Sequence, residues 1–119
     1  MEPIIIQPSE ETPKLECHLS GKILVSGKSL TEDPIAFYQP ILNWISQLPT
    51  EKFLFEMHLE YMNTASSKQI FSMLENAKAN KTAKEVAVDW YYESNDEDGL
   101  DTGKEFESLL DLTFKFIQY

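Results

Sequence analysis

Apolar positions along the chain change their period several times, and each change marks a predicted element. Residues 1–28 carry three short apolar runs: Ile4-Ile5-Ile6, Leu15 to Leu19, and Ile23-Leu24-Val25. The last two flank Ser20-Gly21-Lys22 and predict a β-hairpin. Phe37, Ile41, Trp44, Ile45 and Leu48 then recur at offsets of 0, 4, 7, 8 and 11, the spacing of one helical face. Thr31-Glu32-Asp33-Pro34 ahead of them supplies a cap and a proline for the first turn. Pro40 removes one backbone donor inside this segment and predicts a bend there, and Pro49 closes it.

From Phe53 the period becomes two. Phe53, Phe55, Met57 and Leu59 share one face of a strand, and Leu54, Glu56, His58 and Glu60 share the other. A strand with one apolar and one mostly polar face belongs to a sheet covered by helices on one side and at least partly open to solvent on the other, a two-layer α/β domain. Asn63 and Thr64 offer caps to a helix whose Ile70, Met73, Leu74 and Ala77 form a stripe ending near Asn80. Val86, Val88, Trp90 and Tyr92 then alternate with Ala87, Asp89, Tyr91 and Glu93, a further strand that the intervening helix would bring back parallel. Past an acidic loop, Thr102-x-x-Glu105 has capping-box spacing, and Phe106, Leu109 and Leu110 give the apolar stripe of a third helix. Thr113 to Tyr119 reads as a final strand, so the order is β-β-β-α-β-α-β-α-β.

Composition narrows the function. One domain fills 119 residues, with no linker, repeat or low-complexity tract, and 42% hydrophobic residues suffice for a core. Ten lysines, no arginine and 20 acidic residues give a net charge of −10. Such a surface argues against nucleic acid and against an anionic membrane, both of which need clustered cations. No apolar run approaches the roughly 18 residues of a membrane span, and Met1-Glu2-Pro3 lacks the positive start of a signal peptide, so a cytoplasmic location is expected. Cys17 stands alone, which excludes an internal disulfide and a multi-cysteine zinc site.

Candidate chemistry is sparse. Cys17 and His18 are adjacent on a strand and so point to opposite faces. Glu56, His58 and Glu60 share a strand face and offer a metal or small-ligand set on the open side of the sheet, against the plainer reading of a solvated polar face. Neither a P-loop nor a dinucleotide-binding glycine pattern is present, and no cofactor is expected. Ser94-x-Asp96-x-Asp98-Gly99 through Glu105 approaches a calcium loop, but serine replaces the first carboxylate and a strand precedes it instead of a helix.

The most informative stretch is Glu60 to Lys68, which sets three hydroxyls, Thr64, Ser66 and Ser67, where a strand hands over to a helix. Phosphate there would add about −1.5 to −2 charges beside free backbone amides at the positive end of the helix, with Lys68 one turn on. The residues alone leave simple capping and a phosphorylation switch both open.

Four pieces of the chain together resemble a known family. They are Thr12-Pro13; Ser26-Gly27-Lys28-Ser29 leading through Glu32 to Phe37-Tyr38; Tyr61-Met62-Asn63-Thr64-Ala65-Ser66-Ser67-Lys68; and Val88-Asp89-Trp90-Tyr91-Tyr92 followed by Asn95-Asp96-Glu97-Asp98. The family is that of the SiaC-type regulatory phosphoproteins, similar to the sporulation anti-sigma-factor antagonists (SpoIIAA-like) and their STAS fold. The resemblance implies a mixed sheet flanked by about three helices and a bacterial signalling protein without catalytic residues, in which Thr64 matches the phosphoacceptor. It also implies a Ser/Thr kinase and a Ser/Thr phosphatase acting on that site, and an unmodified form that binds a partner. A diguanylate cyclase making cyclic di-GMP is one such partner and an anti-sigma factor another. Asn63-Thr64-Ala65-Ser66 departs from the Asp-Ser-Ser-Gly common in the wider STAS group, which keeps Ser66 and Ser67 as alternative acceptors. Asn63 and Lys68 complete the environment of the site.

Overall fold

The computed structural model describes residues 1–119. Its elements are β1 (Ile4–Ile6), β2 (Lys14–Cys17), β3 (Lys22–Ser29), α1 (Pro34–Gln47), β4 (Lys52–Met62), α2 (Thr64–Ala79), β5 (Glu85–Tyr92), α3 (Glu97–Leu110) and β6 (Phe114–Gln118). The expected order is met in full. The strands form one six-stranded mixed sheet in the order β1-β2-β3-β4-β5-β6. The first three pair antiparallel, and β3, β4, β5 and β6 pair parallel, each joined to the next by one helix. Right-handed crossovers between sequential parallel neighbours place all the helices on one face. That face holds the core: Phe53, Phe55 and Met57 of β4 are fully buried, together with Leu15, Cys17, Ile23 and Val25 of the hairpin.

The hairpin closes where His18 N–H donates to Lys22 O and Gly21 N–H to His18 O, with Gly21 at φ 94°. The opposite face of the sheet carries charge pairs. Lys14 and His18 both reach Glu16, and Lys22 lies 3.3 Å from Glu56. The His18 hydrogen bond, then that from Lys14, holds the Glu16 carboxyl below its usual range.

One irregularity sets up everything at the far end of β4. Gly27 pairs with Leu59 but Lys28 pairs with Tyr61, so the register slips past Glu60, and Gly27 takes φ 113° to permit it. The slip inverts the alternation. Leu59, expected on the buried face, is half-buried, Tyr61 turns outward at 58% exposure, and Met62 packs against the core. Bulges of this kind re-aim the residues that follow them.

Two other expectations need correcting. Helix α3 starts at Glu97 behind the cap Asp96, whose carboxylate accepts from Gly99 N–H, so Thr102 lies in the helix interior and donates its hydroxyl to Asp98 O. The Asp96-to-Gly99 contact and the acidic first turn outcompeted the later capping box. Leu109 is 67% exposed, because Phe106 and Leu110 alone fill the space over the sheet. In α1 the expected face is buried at Ile41, Trp44 and Ile45, with Leu48 just past its end, Tyr38 and Leu42 beside them and Phe37 at the edge, and the helix continues through Pro40.

Helix α3 approaches the sheet at Gly103, where an added Cβ would lie 2.7 Å from the Trp90 ring. A glycine inside a helix normally gives way to alanine with a gain of roughly 0.5–1 kcal/mol. Here the rigid ring reverses the sign. Gly103→Ala is expected to lose about 1–3 kcal/mol in urea denaturation, with little change in secondary structure.

Candidate functional site

The stretch singled out in the sequence forms the junction between β4 and α2. Asn63 caps α2 with backbone in the extended region, at φ −73° and ψ 169°. Its own N–H donates to Ser29 O at 3.0 Å, and its side-chain Nδ2 donates to Thr31 O at 3.2 Å. In return its Oδ1 accepts from Ser66 N–H at 2.8 Å, and its carbonyl accepts from Ser67 N–H at 2.9 Å. One residue thus ties the end of β3, the loop before α1, and the first turn of α2.

The three hydroxyls of the stretch have separate fates. Thr64, the first helical residue, is exposed. Ser66 is 0% exposed and accepts a 2.8 Å hydrogen bond from Ser29, whose hydroxyl lies 2.7 Å from that of Tyr38. Ser67 is half-buried and lines a shallow groove with Lys68, Phe71, Phe106 and the exposed Leu109. The resemblance puts Thr64 first and keeps Ser66 and Ser67 as alternatives. Yet Ser66, Ile70, Met73, Leu74 and Ala77 follow offsets of 0, 4, 7, 8 and 11, which places Ser66 on the buried stripe and Thr64 off it. That signal was available.

The first turn of α2 keeps free donors. Asn63 satisfies the N–H of Ser66, and the N–H groups of Thr64 and Ala65 have no partner in the protein. Helix starts attract negative charge through such free donors and through the helix dipole. No acidic side chain occupies the first turn, and Lys68 is exposed one turn along.

The far end of α2 is fixed as firmly. Buried Asn80 donates to Ile45 O at 2.8 Å and Leu48 O at 3.0 Å, while its Oδ1 accepts from the N–H groups of Thr82 and Ala83. An asparagine therefore anchors each end of the helix.

Beside the junction lies a cavity of about 220 Å³ walled by Tyr61, Met62, Trp90, Glu60, Asp96 and Asp98. This edge is acidic. Partial burial and then the charges of Glu93, Glu60 and Asp96 push the Tyr119 phenol up.

The alternative ligand set fares differently. Glu56 pairs with Lys22, and the His58 ring stacks on Tyr91 with centroids 3.7 Å apart. Nowhere do three His, Cys, Asp or Glu side chains converge to hold a metal, in the acidic loop or on the open face. No helix is long and apolar enough to cross a membrane.

A mixed sheet with helices on one face and an exposed hydroxyl at a capped helix start describe a small single-domain α/β protein. The sequence profile of the SiaC family of regulatory phosphoproteins matches residues 6–119, and the chain belongs to that family. Among curated proteins no sequence matches. Solved structures match the whole fold. A chain from the crystal structure of the diguanylate cyclase SiaD in complex with its activator SiaC, from Pseudomonas aeruginosa, superposes with a TM-score of 0.85 at 19% identity, covering 98% of this chain and 99% of that one. SiaC of the same organism gives a TM-score of 0.83 at 20% identity with both chains fully covered. Its apo crystal structure gives 0.82 at 20% identity, over 99% of this chain and 98% of the other. The likeness establishes the fold and fits the mixed sheet inferred from the sequence.

Two outcomes follow from the junction. Asn63→Ala should lose roughly 1–2 kcal/mol in urea denaturation, the worth of a good cap. Burial raises the Tyr38 phenol from 10.0 to about 12. The unfolded chain therefore releases this proton at lower pH than the folded one, and stability should fall as pH rises from 10 towards 12. Urea midpoints measured across that range should fall less steeply in Tyr38→Phe. A residual slope should remain from Cys17, whose thiol burial raises from 9.0 to about 12.

Proposed function

We infer that this protein is a non-enzymatic partner-switching module controlled by phosphorylation at Thr64. The observation that carries this reading is the exposed Thr64 hydroxyl at a rigidly capped helix start, in a chain of a regulatory phosphoprotein family. A Ser/Thr kinase would supply a nucleoside triphosphate. Thr64 Oγ1 attacks the γ-phosphorus, an O–P bond forms, the bond to the leaving diphosphate breaks, and the hydroxyl proton passes to a base of the kinase. A Ser/Thr phosphatase reverses the state by hydrolysis.

The modified protein stays folded, because the new charge points to solvent beside the unpaired N–H groups of Thr64 and Ala65. Its consequence falls on binding. A partner covering the junction must desolvate phosphate as well as the surface, and a charge buried without a matching cation is costly. The unmodified form therefore binds and regulates, and the phosphorylated form releases. Lys68, four residues along the helix, would pair with the phosphate.

The partner favoured here is a diguanylate cyclase, since a structural relative is the activator found in complex with one. An anti-sigma factor, the partner class of the related antagonists, is the second possibility that the same switch would serve. The net charge of −10 supports a protein partner over nucleic acid.

In pull-downs from the cells that make the protein, Thr64→Ala should hold its partner under all conditions. Thr64→Glu should recover at least about tenfold less, equivalent to ~1.4 kcal/mol of binding free energy. Equal recovery by the two variants would contradict the switch.

A further inference from the structure

Three hydroxyls from three elements form one buried chain behind the cap. Ser29 closes β3, Tyr38 lies in α1 and Ser66 in the first turn of α2, and each is 0% exposed. Ser29 Oγ donates to Ser66 Oγ at 2.8 Å. A serine hydroxyl has one proton, so Tyr38 must be the donor across the 2.7 Å contact to Ser29. The order is Tyr38 to Ser29 to Ser66.

We propose that this chain decides between Thr64 and Ser66 as the group that receives phosphate: Ser29 and Tyr38 are positioning residues that hold the Ser66 hydroxyl inside the protein, leaving Thr64 the acceptor of the two. The proposal rests on the reading of Thr64 as a phosphorylation site and adds the reason for its selectivity. Thr64 and Ser66 lie two residues apart in the same helical turn, so a kinase docked on one is within reach of the other. Transfer to either needs its oxygen about 3–3.5 Å from the γ-phosphorus and in line with the leaving diphosphate. The balance is that written for Thr64, with Ser66 Oγ as the attacking atom.

Thr64 meets the requirement as it stands. Ser66 lies on the buried stripe, so it reaches solvent only when the first turn of α2 opens, which breaks its bond to Ser29 and leaves a buried hydroxyl of the chain unpaired. A buried polar group stripped of its partner disfavours the open state by roughly ten- to a hundredfold. Ser66 N–H, held by Asn63 Oδ1, resists the same motion. Ser29 is tied to the site a second time, since its carbonyl accepts from Asn63 N–H.

The experiment maps phosphate along the tryptic peptide Phe53–Lys68 by fragmentation mass spectrometry. The proteins compared are wild type, Ser29→Ala, Tyr38→Phe and Ser29→Ala/Ser66→Ala, each recovered from the cells that make the protein. Wild type should carry phosphate on Thr64 alone. In Ser29→Ala the ratio of Ser66 to Thr64 phosphate should rise at least about tenfold, with a smaller rise in Tyr38→Phe. The double variant should return to Thr64 alone. Amide hydrogen exchange at Ser66 and Ser67, which needs no kinase, should accelerate about tenfold in Ser29→Ala for the same reason.

Folded Ser29→Ala and Tyr38→Phe that keep phosphate on Thr64 alone would overturn the selectivity claim and leave the switch standing. A wild type without phosphate on this peptide in any growth condition would overturn the switch, and the proposal with it. Should Ser29→Ala fail to fold, Tyr38→Phe decides: unchanged exchange and unchanged phosphate placement would refute the positioning role.

Discussion

Asn63 is the constraint on which the rest of the site depends. Its backbone and side chain each give and receive a hydrogen bond, to Ser29, Thr31, Ser66 and Ser67. A shorter cap such as serine lacks the amide to reach Thr31 while still accepting from the helix. Because the residue joins strand, loop and helix, the orientation of Thr64 follows from the sheet instead of from a flexible turn. The register slip at Gly27 contributes by turning Met62 inward, so that the chain enters the cap already directed across the sheet.

Rigidity at this point explains how a charge could act as a switch without acting as a denaturant. The core lies beneath the helices, and Asn63 and Asn80 fix both ends of α2. Phosphate at Thr64 would meet unpaired backbone donors, which lowers its own cost and leaves the fold intact. What changes is the free energy of covering the surface. A difference of one or two kcal/mol there shifts binding by roughly five- to thirtyfold, whereas a domain of this size retains several kcal/mol of stability.

Most of the architecture was legible because periodicity reports burial, and burial builds elements. Every strand and helix was anticipated, and the mixed sheet followed from the family resemblance. The errors share a cause: local signals competed. Asp96 and Thr102 both head plausible caps, and the Asp96 contact to Gly99 with the acidic first turn behind it wins. Leu109 fits the stripe but lies beyond the width that the sheet can cover. At the junction, the position of Asn63 as a cap could be read directly. Ser66 could have been separated from Thr64 by its place on the apolar stripe. The chain from Tyr38 through Ser29 could not, since it joins residues 9 and 37 positions apart that meet only once the sheet and both helices are assembled.

The most direct test of the central claim is the state of Thr64 in the protein purified from its own cells under contrasting growth conditions. Mass spectrometry of the peptide Phe53–Lys68 should find phosphate on Thr64 in one condition and the bare hydroxyl in another, the bare form co-purifying with the regulated partner. Consistent absence of phosphate with the peptide well detected, or a partner held equally by both forms, would contradict the account.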